Sequence, residues 1–140
     1  MSKSHKTYFI DTNIFLRALI NDDKRKFNDV VEFLEGVKEN RFKAHTSSLV
    51  LAEIVWTLLS FYKLKKEDVT KSVESIINLN GLTFVESQDS VQAMSLYKKH
   101  NVKYIDCLIC SSLQKEQVVV SYDTDFDKLG AIRLEPKNLL

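Results

Sequence analysis

The apolar positions of the chain fall into short unbroken runs separated by longer stretches of helical spacing. The short runs, rich in β-branched and aromatic residues, predict five strands at about 7–10, 43–46, 82–85, 118–120 and 131–134. Elsewhere apolar residues recur every three or four positions, which predicts helices. These are a helix through 14–19 behind the caps Asp11 and Thr12, helices at about 26–40, 49–62 and 67–79, a segment capped by Ser87 that runs to about 97, and a helix at about 105–114.

Alternating strands and helices require crossover connections, so we predict an α/β fold with a mainly parallel sheet and helices on both faces. The chain shows no internal repeat and no Gly/Ser linker, which favours a single domain over 1–140. In open sheets of this kind ligands bind at the carboxyl ends of the strands. We therefore expect the functional site at that edge.

The composition is that of an ordinary globular protein. The 140 residues are 44% hydrophobic and 28% charged, with three Gly and one Pro, which excludes disordered and collagen-like chains. The longest nearly apolar stretch, 49–62, is shorter than the roughly 20 residues of a membrane span. The opening MSKSHK lacks the apolar core of a secretory signal, so we expect a soluble cytoplasmic protein without membrane contact.

The net charge of +1 gives no general reason to expect a nucleic-acid partner. Any anionic partner must therefore be held by local groups of basic residues. Such groups are usually solvated surface, but two of them are candidates for binding: Lys24, Arg25 and Lys26, and Lys63, Lys65 and Lys66.

Cys107 and Cys110 form a C-x-x-C pair that is compatible with redox chemistry or zinc. A zinc site needs about four ligands, and His5, His45 and His100 are scattered without ligand spacing. Because both cysteines lie among Ile and Leu residues, we interpret them as free buried thiols.

Three carboxylates follow predicted strands. Asp11 comes directly after the first strand, and Asp123 and Asp125 come just after Ser121 at the end of the fourth. The carboxyl ends of the strands are where open α/β sheets bind their ligands, so these carboxylates are candidates for a functional site. The alternatives are that Asp11 caps the next helix and that Asp123 and Asp125 are turn residues.

Glu53 and Asp106 are isolated charges in two apolar helices. Ionised carboxylates are rarely buried unpaired, so each needs an explanation. Three alternatives explain Glu53: it forms an ion pair with a Lys or Arg from elsewhere, it lies at a solvent-facing notch in the helix, or it belongs to a functional site. Asp106 either interacts favourably with the dipole at the N-terminus of its helix or belongs to a functional site.

Four of these carboxylates, Asp11, Glu53, Asp106 and Asp123, repel one another in a shared pocket unless a cation is present. Mg²⁺ and Mn²⁺ prefer carboxylate and water oxygens and share their coordination shell with substrate phosphates. The pattern therefore predicts a divalent metal site that acts on a phosphate-containing substrate.

Four segments in order resemble the acidic signature of the PIN-domain nucleases, and are most similar to the small VapC-type toxins. The similar segments are Phe9-Ile10-Asp11-Thr12-Asn13-Ile14-Phe15, Ser47-Ser48-Leu49-Val50-Leu51-Ala52-Glu53-Ile54, Tyr104-Ile105-Asp106-Cys107-Leu108-Ile109 and Val120-Ser121-Tyr122-Asp123-Thr124-Asp125-Phe126. The resemblance implies a three-layer PIN-like fold with strand order 3-2-1-4-5. It also implies Mg²⁺- or Mn²⁺-dependent hydrolysis of RNA phosphodiester bonds.

The resemblance assigns roles to individual residues. The metal is surrounded by Asp11, Glu53, Asp106 and Asp123, with Asp125 as a more variable acidic position. Glu53 is either a ligand or the group that orients or deprotonates the attacking water. Asn13 and Ser121 match polar positions that orient carboxylates or waters. Ser121 stands where the family more often has Thr, which keeps the hydroxyl.

The resemblance also implies a homodimer and, for a toxin, a small antitoxin protein that covers the site. Trp56, Leu59, Phe61 and Tyr62 in the apolar helix form an interface or belong to a plainly buried core. Two other functions remain: a PIN nuclease of RNA processing or quality control, and a non-catalytic module that binds RNA or a partner.

Overall fold

The computed structural model describes residues 6–140, so His5 and most of the opening segment lie outside the described residues. In chain order the elements are β1 (Thr7–Ile10), α1 (Thr12–Leu19), α2 (Lys24–Lys38), β2 (Lys43–Thr46), α3 (Ser48–Ser60), α4 (Lys66–Ile77), β3 (Leu82–Phe84), α5 (Ser90–Lys99), α6 (Tyr104–Ser112), β4 (Val118–Val120), α7 (Asp125–Lys128), β5 (Ile132–Leu134) and a 3-10 helix (Pro136–Leu139).

The five strands form one parallel sheet in the order β3-β2-β1-β4-β5. This confirms the predicted α/β class and strand order. The order reverses at β1, so the usual right-handed crossovers place α1–α4 on one face of the sheet and α5–α6 on the other. The helix contacts agree, because α1 packs on α2 and α3, α3 packs on α4, and α5 packs on α6. The carboxyl ends of β1 and β4 therefore lie side by side at the switch point.

The burial of the strands follows their position in the sheet. All three residues of β4 are buried, as are Phe9 and Ile10 of β1, because these central strands have helices over both faces. The edge strands β3 and β5 are partly exposed. The continuous apolar runs at 7–10 and 118–120 thus belong to the middle of the sheet.

Two helix starts differ from the sequence prediction. The second helix begins two residues earlier than expected, because the Asp23 carboxylate accepts a hydrogen bond from Lys26 N at 3.1 Å and caps it. The predicted Ser87 cap is wrong. Asp89 caps α5 by accepting from Val91 N and Gln92 N, while the Ser87 hydroxyl donates to the Ser112 carbonyl.

The apolar helix α3 is buried on one side only. Val50, Ile54 and Leu58 have no exposed surface, but Trp56 on α3 is 66% exposed and Phe61, the residue after α3, is 71% exposed. Tyr62, by contrast, packs partly against the core. The opposite side of α3 is thus an open apolar surface, which excludes the interpretation of a plainly buried core helix.

The cysteines behave as predicted. Cys107 is fully buried, Cys110 is partly buried, and both are free thiols. Burial raises the pKa of each thiol, which favours its neutral form. Neutral thiols pack as small apolar groups. Within residues 6–140 no helix is both long and apolar enough to cross a membrane.

Candidate active site

Asp11 lies at the switch point of the sheet. Its backbone N–H donates to the Val120 carbonyl at 3.1 Å, and its side chain is only 4% exposed. Although Asp11 occupies the N-cap position of α1, its carboxylate makes no capping hydrogen bond. It accepts instead from Ser121 Oγ at 2.7 Å and from Asn13 Nδ2 at 3.1 Å. The capping alternative is therefore wrong.

Asn13 and Ser121 join the ends of β1 and β4. Asn13 Oδ1 accepts from Tyr122 N at 3.2 Å, which fixes its amide with Nδ2 toward Asp11. Ser121 Oγ accepts from Asp123 N at 2.9 Å while it donates to Asp11. These two side chains hold Asp11 and the start of the acidic loop in one fixed arrangement.

Asp123 and Asp125 form a turn, as one alternative from the sequence proposed. Asp123 Oδ1 accepts from Asp125 N at 2.9 Å, and Asp125 begins the short helix α7. Both carboxylates remain partly exposed, and Lys128 Nζ lies 3.3 Å from Asp125 Oδ1. The turn places both side chains at the carboxyl edge of the sheet, so the turn role and a role in the site are compatible.

Asp106 lies in the first turn of α6 and is only 2% exposed. Its Oδ2 is buried and has no hydrogen-bond partner among residues 6–140. One oxygen each from Asp106, Asp123 and Asp125 lie within 4.8 Å of one another. A buried carboxylate oxygen without a donor, next to two further carboxylates, is the arrangement expected of a hard divalent cation site.

Glu53 lies on α3, and its side chain lines a cleft together with Asp11 and Asp106. The Thr12 hydroxyl donates to Glu53 Oε1, and within the described residues no Lys or Arg forms an ion pair with Glu53. The cleft has a volume of ≈ 210 Å³. The structure thus brings the four predicted carboxylates to one cleft and its rim.

Burial shifts the pKa values of the two deepest carboxyl groups. It raises the pKa of Asp11 to about 6, although the hydrogen bond from Ser121 opposes the shift. It raises the pKa of Asp106 to about 8, against the opposing charge of Lys103. Without a cation, Asp106 is therefore largely protonated at pH 7, and a bound cation favours its ionised form.

Sequence reasoning missed Thr12 and Lys103. Thr12 holds Glu53, and Lys103 Nζ lies 3.6 Å from Asp123 Oδ2 on the wall of the cleft. The available signal for Lys103 was its position, three residues before Asp106 at the start of a helix. For Thr12 no signal existed beyond its place next to Asp11.

The predicted basic groups lie outside the cleft. Lys24 and Arg25 are exposed, but Lys26 Nζ lies 4.6 Å from the ring centre of Tyr122, the neighbour of Asp123. The second group is exposed on the connection between α3 and α4 and at the start of α4: Lys63, Lys65 and Lys66. Of the two groups, only the first has a contact next to the acidic loop.

The fold and the strand-end carboxylates define a protein class, and comparison with known families identifies it. The family model described as PIN domain matches residues 8–132, so the chain belongs to the PIN domain family. This confirms the predicted resemblance to the PIN-domain family.

Individual relatives agree. The chain is 30% identical over 130 residues to a protein named VapC ribonuclease from Aquifex aeolicus (strain VF5), covering 91% of this chain and 95% of that protein. VapBC2 from Rickettsia felis, solved bound to a DNA fragment from their promoter, has a TM-score of 0.66 at 21% identity, with 92% of this chain and 98% of that chain covered.

Two further solved structures share the fold. FitAcB from Neisseria gonorrhoeae has a TM-score of 0.65 at 20% identity, over 94% of this chain and 99% of that chain. VapC20 from Mycobacterium tuberculosis, described as a Sarcin-Ricin loop cleaving toxin, has a TM-score of 0.64 at 18% identity, over 90% of this chain and 97% of that chain.

Proposed function

We propose that this PIN-domain protein is an endoribonuclease that uses Mg²⁺ or Mn²⁺ to hydrolyse RNA phosphodiester bonds, and that it is the toxin of a type II toxin–antitoxin pair. One observation carries the proposal. The buried Asp106 oxygen without a donor lies in a cluster with Asp123 and Asp125, at the strand ends where this fold class binds ligands. The relative named VapC ribonuclease supports RNA as the substrate.

The donor set suits a hard divalent cation. Asp106, Asp123 and Asp125 would hold it directly, and Asp11 and Glu53, which line the same cleft as Asp106, would act on it directly or through water. When bound, such an ion supplies Lewis-acid chemistry at water and phosphate oxygens and neutralises charge on the transition state. The oxygen-only donor set favours Mg²⁺ or Mn²⁺ over zinc.

The remaining roles, which are to orient Asp11 and the attacking water, belong to side chains of the protein. Ser121 and Asn13 orient Asp11 through their hydrogen bonds, which leaves less reorganisation for the reaction itself. Glu53, steadied by the Thr12 hydroxyl, orients the attacking water or accepts its proton.

Three partners belong to the proposal. RNA is the substrate, and Lys26 beside Tyr122 supports a phosphate-binding role for the first basic group, with the second, Lys63, Lys65 and Lys66, extending it. The exposed side chains Trp56 and Phe61 support an interface with a second copy of the chain or with a small antitoxin. Since cellular RNA is the substrate, we place the protein in the cytoplasm.

The test is cleavage of a mixed pool of single-stranded and structured RNA by purified protein freed of any co-purified partner. Reactions contain Mg²⁺, Mn²⁺ or a chelator, beside the variant Asp11→Asn. We expect metal-dependent cutting that the variant lacks. If the wild type and the variant bind RNA but are equally inert with every metal, the nuclease proposal is wrong and the protein is a binding module.

A further inference from the structure

The acidic cleft contains a cation of its own, which neither the acidic motifs nor the predicted basic groups include. Lys103 lines the cleft together with Asp11, Glu53 and Asp106, and its Nζ lies 3.6 Å from Asp123 Oδ2. Asp123 is one of the three carboxylates whose oxygens cluster within 4.8 Å. The ammonium group therefore contacts a carboxylate that the proposed metal needs.

The fold does not require this side chain. Lys103 precedes α6, where its backbone carbonyl accepts from Asp106 N at 3.1 Å, a bond that any residue type provides. Its side chain is 61% exposed. Ion pairs with that much exposure contribute little to stability, so the side chain is explained better by the cleft than by folding.

Lys128 offers a contrast within the same acidic loop. It lies 3.3 Å from Asp125 Oδ1, but this pair joins two positions of the short helix α7, and Lys128 does not line the cleft. Of these two lysines, Lys103 alone reaches an acidic residue of the cluster from another element and lies on the wall of the cleft.

We propose that Lys103 competes with the divalent ion for Asp123 in the free protein, and that it binds the scissile phosphate of RNA once the ion is in place. This inference rests on the proposed function. An ion bound at Asp123 takes the partner of the ammonium group, which leaves a flexible point charge at the rim of the cleft. A phosphate oxygen of the substrate is the anion that replaces the lost carboxylate.

The test compares Lys103→Gln with Lys99→Gln, which removes the same charge from an exposed position on α5. The Mn²⁺ dissociation constant is measured by calorimetry, RNA affinity in Mn²⁺ by fluorescence anisotropy, and cleavage by initial rates. For Lys103→Gln we expect Mn²⁺ binding to tighten about 3- to 10-fold, because a competing charge is removed. We expect weaker RNA binding and a kcat/KM lower by about 10- to 100-fold. Lys99→Gln is expected to match the wild type.

The opposite directions of these changes separate the inference from a structural role. If Mn²⁺ binding and cleavage weaken together in Lys103→Gln, or if this variant behaves like Lys99→Gln, the inference is overturned. If Lys103→Gln binds Mn²⁺ more tightly but binds RNA as well as the wild type does, the proposal that Lys103 binds the scissile phosphate is overturned. If the wild type cuts no RNA, the proposed function fails, whereas the Mn²⁺ and RNA affinities still decide the role of Lys103.

Discussion

The cleft holds its two buried carboxyl groups in opposite ways. Asp11, at the end of β1, accepts hydrogen bonds from Ser121 and Asn13. Asp106, in the first turn of α6, has a buried Oδ2 to which no donor in the described part of the chain is bonded. Burial raises the pKa of Asp11 to about 6 but that of Asp106 to about 8.

The difference shows two separate tasks: the protein's own donors orient Asp11, whereas the charge of Asp106 needs a bound cation. Around Asp11 the protein supplies fixed neutral donors, which hold the group in one geometry whether or not a cation is bound. Around Asp106 it supplies burial without a donor to Oδ2, so ionisation of Asp106 depends on a cation from outside. Three expectations test this division, and a fourth concerns the basic groups outside the cleft.

The largest effect is expected for Asp106→Asn. The amide keeps the size of the side chain but cannot supply the anionic oxygen, so we expect cleavage to fall by at least about 100-fold. Mn²⁺ should no longer raise the melting temperature of the variant. Rates and melting curves measured with and without Mn²⁺ check both points. Retained cleavage would remove Asp106 from the metal site.

Ser121→Ala is expected to have the next largest effect. It removes the 2.7 Å hydrogen bond to Asp11 and leaves that buried carboxylate with one side-chain donor fewer. We expect a loss of about 10- to 100-fold in metal affinity or activity. Ser121→Thr keeps the hydroxyl and is expected to restore most of both. If Thr and Ala behave alike, the hydroxyl does not orient Asp11.

A smaller effect is expected in the stability of the metal-free protein between pH 7 and 8. The pKa of Asp106 is raised in the folded state, so the folded protein binds more protons than the unfolded chain until the pH passes about 8. Stability therefore falls as the pH rises, by about 1 kcal/mol over this interval for one such group. Urea unfolding at both pH values measures it.

Asp106→Asn is the control for that measurement, because it cannot titrate. We expect the decline between pH 7 and 8 to disappear in this variant, while Ser121→Ala keeps it. A decline of the same size in Asp106→Asn would assign the proton to another group.

The smallest effect is expected for the basic groups. Neutralising Lys24 and Lys26 together is expected to weaken RNA binding about two- to threefold and to make its salt dependence shallower. Neutralising Lys63 and Lys65 is expected to do less, since both are exposed at the connection between α3 and α4, whereas Lys26 contacts Tyr122 beside the acidic loop. RNA affinities at several salt concentrations check the order, and the reverse order would place RNA over the end of α3.

The sequence predicts most of the fold because the strands are short apolar runs and the helices keep their period. The start of α5 was missed because Ser87 and Asp89 both suit an N-cap, and only the packing of Ser87 against Ser112 selects between them. The short helix α7 was missed because acidic turn residues occupy it.

The positions of the carboxylates were predictable, but their contacts were not. The ends of β1 and β4 place Asp11 and Asp123 together in any sheet of this order. The contact of Thr12 with Glu53 depends on how α3 packs against α1, which no local pattern encodes. The contact of Lys103 with Asp123 likewise depends on how a long side chain crosses between two elements.

The strand order also determines when the cleft can first exist during synthesis. Asp11 is made early, but the partner strand on one side of β1 is β4, which begins at Val118 of a 140-residue chain. The bond from Ser121 to Asp11 spans 110 positions. A chain that emerges from the ribosome N-terminus first therefore exposes an incomplete sheet without Asp123 until β4 and the loop after it have been translated. We expect the nascent protein to acquire activity only after β4 and Asp123 have emerged and β4 has paired with β1.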